Sequence, residues 1–306
     1  MLEELWTGLP RAVGSGLNIA GRRLGREFLL ALRTTSGRIG LPIVLFYLIL
    51  ALVGSWLAPY SPTEFQYDET GALQQLIAPS WQFWLGTDNF GRDVFSRIMS
   101  GATSLIGISV IGSTLGIALG TIVGMSSAYR GGRLDEVVMR VMDGLMSFPS
   151  LLLALLVLTT LGTSGVNIVA TIAVVHLPRV ARVVRSVTLS FKEMEFVQSA
   201  RLRGEPASYI VFREILPNAM PVLVVEFSVR LSYAILLVSS LGFLGMGVQP
   251  PSPDWGLMIS QSRGFLVGAP WVALAPAGAV ASLVVGVNLL ADGIKRARGL
   301  PREDMS

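Results

Sequence analysis

A chain can carry out chemistry only where nucleophiles, bases or metal ligands stand at workable spacings, and this sequence offers few. It has no Cys and one His, which excludes thiolate zinc sites, cysteine nucleophiles, disulfide scaffolds and every multi-histidine metal motif. Ser164, in Gly162-Thr163-Ser164-Gly165, matches the Gly-x-Ser-Gly pattern of an intramembrane serine protease, with His176 as the one base available. If a helix starts near Val166, His176 lies about ten residues along it, roughly 15 Å away. A nucleophile and its base need about 3 Å. The tetrapeptide reads better as a turn, and the protease stays a weak alternative. A phosphate-cradling loop needs GxxxxGK followed by Ser or Thr. Lys192 is followed by Glu193 and Lys295 by Arg296, so ATP chemistry would have to come from a partner. No catalytic residue and no metal ligand is assigned.

Two further groups of residues have informative spacing. Glu226 and Arg230 stand four apart with the acid first, the favoured order for a helical ion pair. An unpaired Arg at mid-membrane costs roughly 2.5–3.5 kcal/mol on the insertion scale, so pairing, snorkelling or a water-lined cavity is expected. A polar lining for a translocation path and a structural pair near one membrane face both remain open. Gly112, Gly116, Gly120 and Gly124 form a GxxxG repeat that lets another helix backbone approach closely. Packing within the chain and packing against another subunit are equally compatible with it.

The elements that must hold these residues follow from composition. Of 306 residues 52% are apolar and 14% charged, and mean hydropathy is +0.61. A soluble domain carries about a quarter charged residues, and the same figures exclude disorder. Apolar stretches long enough for the ~30 Å hydrocarbon core predict an all-α membrane protein with six transmembrane helices. The first is about Gly40 to Leu57 and the second lies within Ile98 to Tyr129. Two short spans share Gly144 to Pro178, divided by the turn at 162–165. The fifth lies within Leu216 to Gly245, interrupted by Glu226 and Arg230, and the sixth within Gly264 to Ala291. Pro178 is expected to kink the fourth.

All but four of the 24 Lys and Arg residues flank these spans on one side; Arg92, Arg97 and Arg263 lie opposite and Arg230 inside. Cytoplasmic flanks retain basic residues, so both termini are expected in the cytoplasm. The pI near 9.7 then reflects dispersed topological anchors rather than a nucleic-acid-binding patch. The basic tail is too long for a signal-peptide n-region, so the first span is expected to stay as an anchor in the lipid. The expected division is a tail (1–38), an anchor helix (39–58), an outside segment (59–101), a five-helix core (102–292) and a cytoplasmic tail (293–306).

Function is sought in the long connections. Outside, Tyr60 to Trp84 and Val248 to Trp255 are aromatic- and Pro-rich, suited either to holding a shape against a partner or to ordinary packing. Inside, the loop 190–217 reads as two short helices. The first runs about Lys192 to Leu202 and carries Glu195, Gln198, Ser199 and Ala200. Gly204 supplies a left-handed break, Glu205 follows it, Pro206 suits the start of a second helix and Pro217 is expected to end that helix.

This loop resembles the EAA loop of binding-protein-dependent ABC transporter permeases, whose pattern is Glu-Ala-Ala, three residues, Gly, nine residues, then Ile-x-Leu-Pro. Gln198-Ser199-Ala200, Gly204 and Glu214-Ile215-Leu216-Pro217 fill those slots; Gln198, Ser199 and Glu214 depart from it, and Glu214 is given no role. Four further stretches resemble the second permease subunit of the dipeptide/oligopeptide/nickel family: LGTDNFGRDVFSR from Leu85, GGRLDEVVMRVMDGLMSFPSLLLAL from Gly131, LGFLGMGVQPPSPDWG from Leu241 and NLLADGIKRA from Asn288. The resemblance implies the permease fold of a type I ABC importer in the bacterial inner membrane. It implies a heterodimer with a similar permease, two ATP-binding subunits that hold ATP and Mg, and a periplasmic or lipid-anchored solute-binding protein. This chain would bind no cofactor and hydrolyse nothing. The cargo would be peptides or similar small solutes, with nickel chelates as the alternative; a transporter working alone is the rival of another class. Glu195, Gln198, Ser199, Ala200, Gly204, Glu205 and Pro217 would couple to the ATPases.

Overall fold

A computed structural model describes residue 32 and residues 34–297; Arg11, Arg22, Arg23, Arg26, Arg33, Arg298 and Arg302 lie outside the described residues. The helices are α1 (Thr35–Leu57), α2 (Val94–Arg130), α3 (Gly132–Met146), α4 (Ser150–Leu161), α5 (Gly165–Lys192) and α6 (Glu195–Leu202). They are followed by α7 (Ala207–Phe243), α8 (Trp255–Ser262) and α9 (Pro270–Ala297). Helices α1, α2, α5, α7 and α9 are each long and apolar enough to cross a membrane, and α3 and α4 form a pair bent by 88°. Among the described residues there is no strand, only isolated bridges from Tyr67 to Leu73 and from Thr87 to Asp93.

Lipid supplies no hydrophobic drive between helices, so close backbone approach decides the packing. On α2, Gly112, Gly116, Gly120 and Gly124 are met in turn by Ile172, His176, Val180 and Ala181 of α5. A β-carbon at Gly112, Gly116 or Gly120 would lie 2.8, 2.9 or 2.7 Å from a β-carbon of α5. The glycine row therefore serves packing within the chain. Because contact advances in the same direction along both helices, α2 and α5 are parallel. The chain must return across the membrane between them, and α3 with α4 makes that return. Helix α4 contributes 12 residues, all apolar but Ser150, Thr159 and Thr160, about 18 Å of rise.

Helix α1 runs antiparallel to both α2 and α9. The Thr103 hydroxyl donates to the Ala51 carbonyl (2.7 Å), Tyr47 and Ser282 share a 2.6 Å hydrogen bond, and Gly37 abuts Gly293. The start of α1 and the end of α9 thus share one face. The main apolar cluster joins the long helices around Trp255, whose indole N–H donates to the Ile98 carbonyl (3.0 Å).

Several boundaries differ from the sequence-based expectation, each for a physical reason. Helix α2 starts at Val94, inside the expected outside segment, because the Asp93 carboxylate accepts the Ser96 N–H (2.7 Å) and caps it there. The third span shortens to α4. Helix α5 continues through Pro178 to Lys192, and its 28 residues, about 42 Å, carry Arg179, Arg182 and Arg185 past the hydrocarbon on a helix rather than in a loop. Lys192 ends α5 instead of opening α6. Pro217 does not end its helix: residues Ile210–Ile215 form π turns and the Leu216 N–H reaches the Val211 carbonyl. That wider turn accommodates a residue with no N–H to donate. Glu226 and Arg230 do not interrupt α7, and the last span is Pro270–Ala297.

Candidate functional site: a helical hairpin and an intramembrane ion pair

Helix α6 and the first turns of α7 form a tight hairpin hung between two spans. Its corner is a Schellman closure. Gly204 sits at φ +77°, its N–H donates to the Arg201 carbonyl (2.9 Å), and the Glu205 N–H donates to Ala200 (3.2 Å). Val197 and Ala200 are wholly buried against Val180, Val184, Ile210 and Ile215, which seats the hairpin on the ends of α2 and α5. Arg203 ties the two arms by pairing with Glu214 (3.2 Å) and Glu205 (3.7 Å). That contact explains Glu214, to which the sequence assigned nothing.

The predicted coupling residues therefore divide. Glu195, Gln198, Ser199 and Gly204 face outward, and Glu205 and Pro217 are half-buried. Gln198 spends its side-chain N–H on the Glu193 carbonyl (3.0 Å). Ala200 turns inward, so it supports the surface rather than forming it. Sequence reasoning passed over Leu202, which projects beside the corner at 90% exposure. An apolar residue between two arginines, two positions before the glycine, was the available signal.

On α7 the Arg230 Nε donates to the Glu226 Oε1 at 2.6 Å, both side chains are nearly buried, and the guanidinium lies 5.5 Å from the Tyr233 ring. Residues 226, 230 and 233 make one stripe, and half-exposed Tyr233 is where it opens. His176 is buried on α5 beneath Gly116. Ser164 caps the start of the same helix, its hydroxyl accepting the Asn167 N–H (3.2 Å). Some 18 Å of helical rise separates the two positions, which leaves no serine–histidine dyad. Among the described residues no group of three His, Cys, Asp or Glu could hold a metal.

Opposite the hairpin, residues 58–93 fold around a repeated Asp-x-x-Gly turn. The Asp68 Oδ1 accepts from the N–H of Thr70 and Ala72 (2.9 and 2.8 Å), and these bonds with the Thr70 hydroxyl hold its carboxyl below the usual range. The Asp88 Oδ1 accepts likewise from Phe90 and Arg92 (2.8 and 2.9 Å). The Gln66 N–H to Gly91 carbonyl bond (2.8 Å) joins the copies, and Arg97 fastens them to α2 through the Pro62 carbonyl (2.9 Å). Asp254 caps α8 by accepting the Leu257 N–H (2.8 Å). Burial raises the carboxyl pKa of both Asp93 and Asp254. The repeat was visible in the sequence as DETG and DNFG, but the buried acids were not.

Residues 112–298 match the family described as binding-protein-dependent transport system inner membrane component. The dipeptide transport system permease protein DppC of Alkalihalophilus pseudofirmus is 37% identical over 259 residues, 85% of this chain and 84% of that protein. The glutathione transport system permease protein GsiD is 38% identical in Pectobacterium atrosepticum, covering 83% of this chain and 84% of that one. Its Escherichia coli counterpart is 38% identical, covering 83% and 82%. A solved structure of the MetNI methionine ABC transporter, inward facing, shares the fold with a TM-score of 0.53 at 18% identity, over 67% of this chain and 97% of that chain.

Proposed function

The chain belongs to the binding-protein-dependent transport system inner membrane component family, a family of multi-pass permeases of the bacterial inner membrane, and from that premise we propose that it forms half of the pathway of an ATP-driven importer for peptides or glutathione-like solutes. A second, similar permease completes the pathway, two ATP-binding subunits supply hydrolysis, and a solute-binding protein delivers cargo. The similarity to dipeptide and glutathione permeases supports that substrate class over nickel chelates.

The observation that carries the coupling role is the Gly204 corner. A docking element must keep its shape while a partner pushes on it. Here the shape is fixed by a backbone closure, an inward apolar seat and an ion pair across the arms. The hairpin's arms lead directly into α5 and α7, so a rigid-body movement of it reaches two spans at once. One of them is packed along the α2 glycine row and the other carries the Glu226–Arg230–Tyr233 stripe. The dense basic flank supports a cytoplasmic position for this hairpin, where ATP-binding subunits would meet it.

Gly204→Val tests the role. A β-carbon at Gly204 would meet nothing within 4 Å, so the substitution acts through the backbone, where a left-handed non-glycine residue costs roughly 1–2 kcal/mol. The variant should insert and fold but lose ATP-driven uptake about tenfold in the reconstituted complex. Unchanged uptake together with unchanged substrate-stimulated ATPase would refute the coupling role.

A further inference from the structure

The hairpin is not the only element that α5 could move. Past the hydrocarbon, α3 and α5 enclose an open cavity of about 400 Å³ lined by Asp135, Glu136, Arg140, Asp143, Arg182 and Arg185. Two ion pairs bridge it. The Arg185 guanidinium grips Asp135 with two of its nitrogens, Nε donating to Oδ1 at 2.9 Å and Nη2 to Oδ2 at 2.6 Å, and Arg182 pairs with Asp143. Asp135 and Asp143 are eight residues apart, on one face of α3; Arg182 and Arg185 are three apart, on one face of α5.

Each end of α3 has a different mechanical character. Its first residue follows α2 directly, across Gly131. Its last residue leads into residues 147–149, where the chain turns by 88° into α4. Within that turn lies Phe148, half-exposed, and beyond it α4, whose Leu152 and Leu156 are also half-exposed. Helix α5 ends two residues before α6, so displacement of the hairpin is displacement of the end of α5. Apolar contacts let helices slide past each other, whereas a two-pronged Arg–carboxylate contact fixes both distance and orientation.

We infer that the Asp135–Arg185 and Asp143–Arg182 pairs are positioning residues for transport: they carry movement of the hairpin from α5 into α3 and through the turn at 147–149, so that α4 is the wall of the pathway that swings. This linkage rests on the ATP-driven reading above. Without the pairs, α5 would move and α4 would stay.

The test uses the complete reconstituted transporter with wild-type and variant chains. Asp135→Asn keeps the shape and removes the charge. It should leave ATPase activity within about twofold while lowering solute imported per ATP by about fivefold or more. Exchanging the partners, Asp135→Arg with Arg185→Asp, should recover at least half of the lost coupling. A merely structural pair would lower ATPase and uptake together. An unaltered uptake-to-ATP ratio in Asp135→Asn, or no recovery in the exchanged pair, would overturn the linkage. If Asp135→Asn fails to assemble, wild-type distances decide. This chain has no Cys, so with partner subunits made free of reactive Cys, spin labels at Val137→Cys and Leu156→Cys report the α3–α4 separation. A shift of about 5 Å between nucleotide-free and ATP-trapped complexes supports the linkage, and an unmoved separation rejects it. Absence of ATP-driven uptake by the wild-type complex would instead refute the importer reading itself.

Discussion

Gly107 and Gly124 lie on the same helix, yet an added β-carbon would meet nothing within 4 Å at the first and the Ala181 carbonyl at the second. The backbone of α5 cannot yield as a side-chain tip can. Gly124→Val should therefore destabilise by about 1–3 kcal/mol, the usual cost of overpacking. Gly107→Ala should be neutral or stabilising by up to about 1 kcal/mol, from helix propensity. Thermal melts of the two variants in one detergent would check the contrast. The sequence displayed the glycine spacing but not its partner, because spacing on one helix carries no information about what faces it. Asp254 makes a second residue-scale case. Burial raises its carboxyl pKa above 3.8 in the folded chain, so between those two values the folded state binds more protons than the unfolded one. Stability therefore falls as pH rises through that window and levels off above the folded value. Asp254→Asn keeps a side-chain oxygen to accept the Leu257 N–H and cannot ionise. Its melting temperature should vary less with pH from about pH 4 upward than that of the wild type, a difference readable in parallel melts.

Helix ends proved harder to read than helix existence. The long apolar stretches were legible, because a run with so little charge has no other stable home. The start of α2 was not, since Asp93 acts through the Ser96 N–H three residues on and the apolar stretch begins only later. Asp93→Ala should cost about 1 kcal/mol, within the 0.5–2 range of lost N-caps, while Asp93→Asn should cost a few tenths at most; melts of the purified protein would show it. The end of α5 is hidden for the opposite reason: Arg179, Arg182 and Arg185 interrupt the apolar run as a loop would, yet the helix continues to Lys192. Helix α3 went unread although Leu134, Val137, Val138, Val141 and Leu145 recur at helical spacing, with Asp135 and Asp143 on another face. In the hairpin, the corner at Gly204 was legible from residue type alone. The π turns before Pro217 were not, because no local residue demands them.

At the scale of the molecule, the helix directions fix how many times the chain crosses. Parallel α2 and α5 require a return through α3 and α4, although α4 by itself is short for the roughly 30 Å core. Antiparallel packing of α1 and α9 puts the start of α1 and the end of α9 on one face, the face of the hairpin. The three arginines on the other face do not argue against this orientation, since Arg92 is spent on Asp88 (2.7 Å) and buried Arg97 lies 3.6 Å from the same carboxylate. Among the described residues Arg263 is the one remaining basic residue there, against the basic flank around α5 and the hairpin, so the basic face should be cytoplasmic. With no native Cys in the chain, each introduced thiol reports one position in this chain. A membrane-impermeant maleimide applied to intact spheroplasts should label Gln75→Cys, Val166→Cys and Val267→Cys. It should reach Arg133→Cys and Ser199→Cys only after permeabilisation. Val166, exposed at the start of α5, is the discriminating position. Labelling there from outside, with Arg133 protected, means that the bent α3–α4 pair crosses the membrane completely. Protection of Val166 together with Arg133 would mean that the pair turns back within the lipid, which parallel packing of α2 and α5 along the glycine row does not allow.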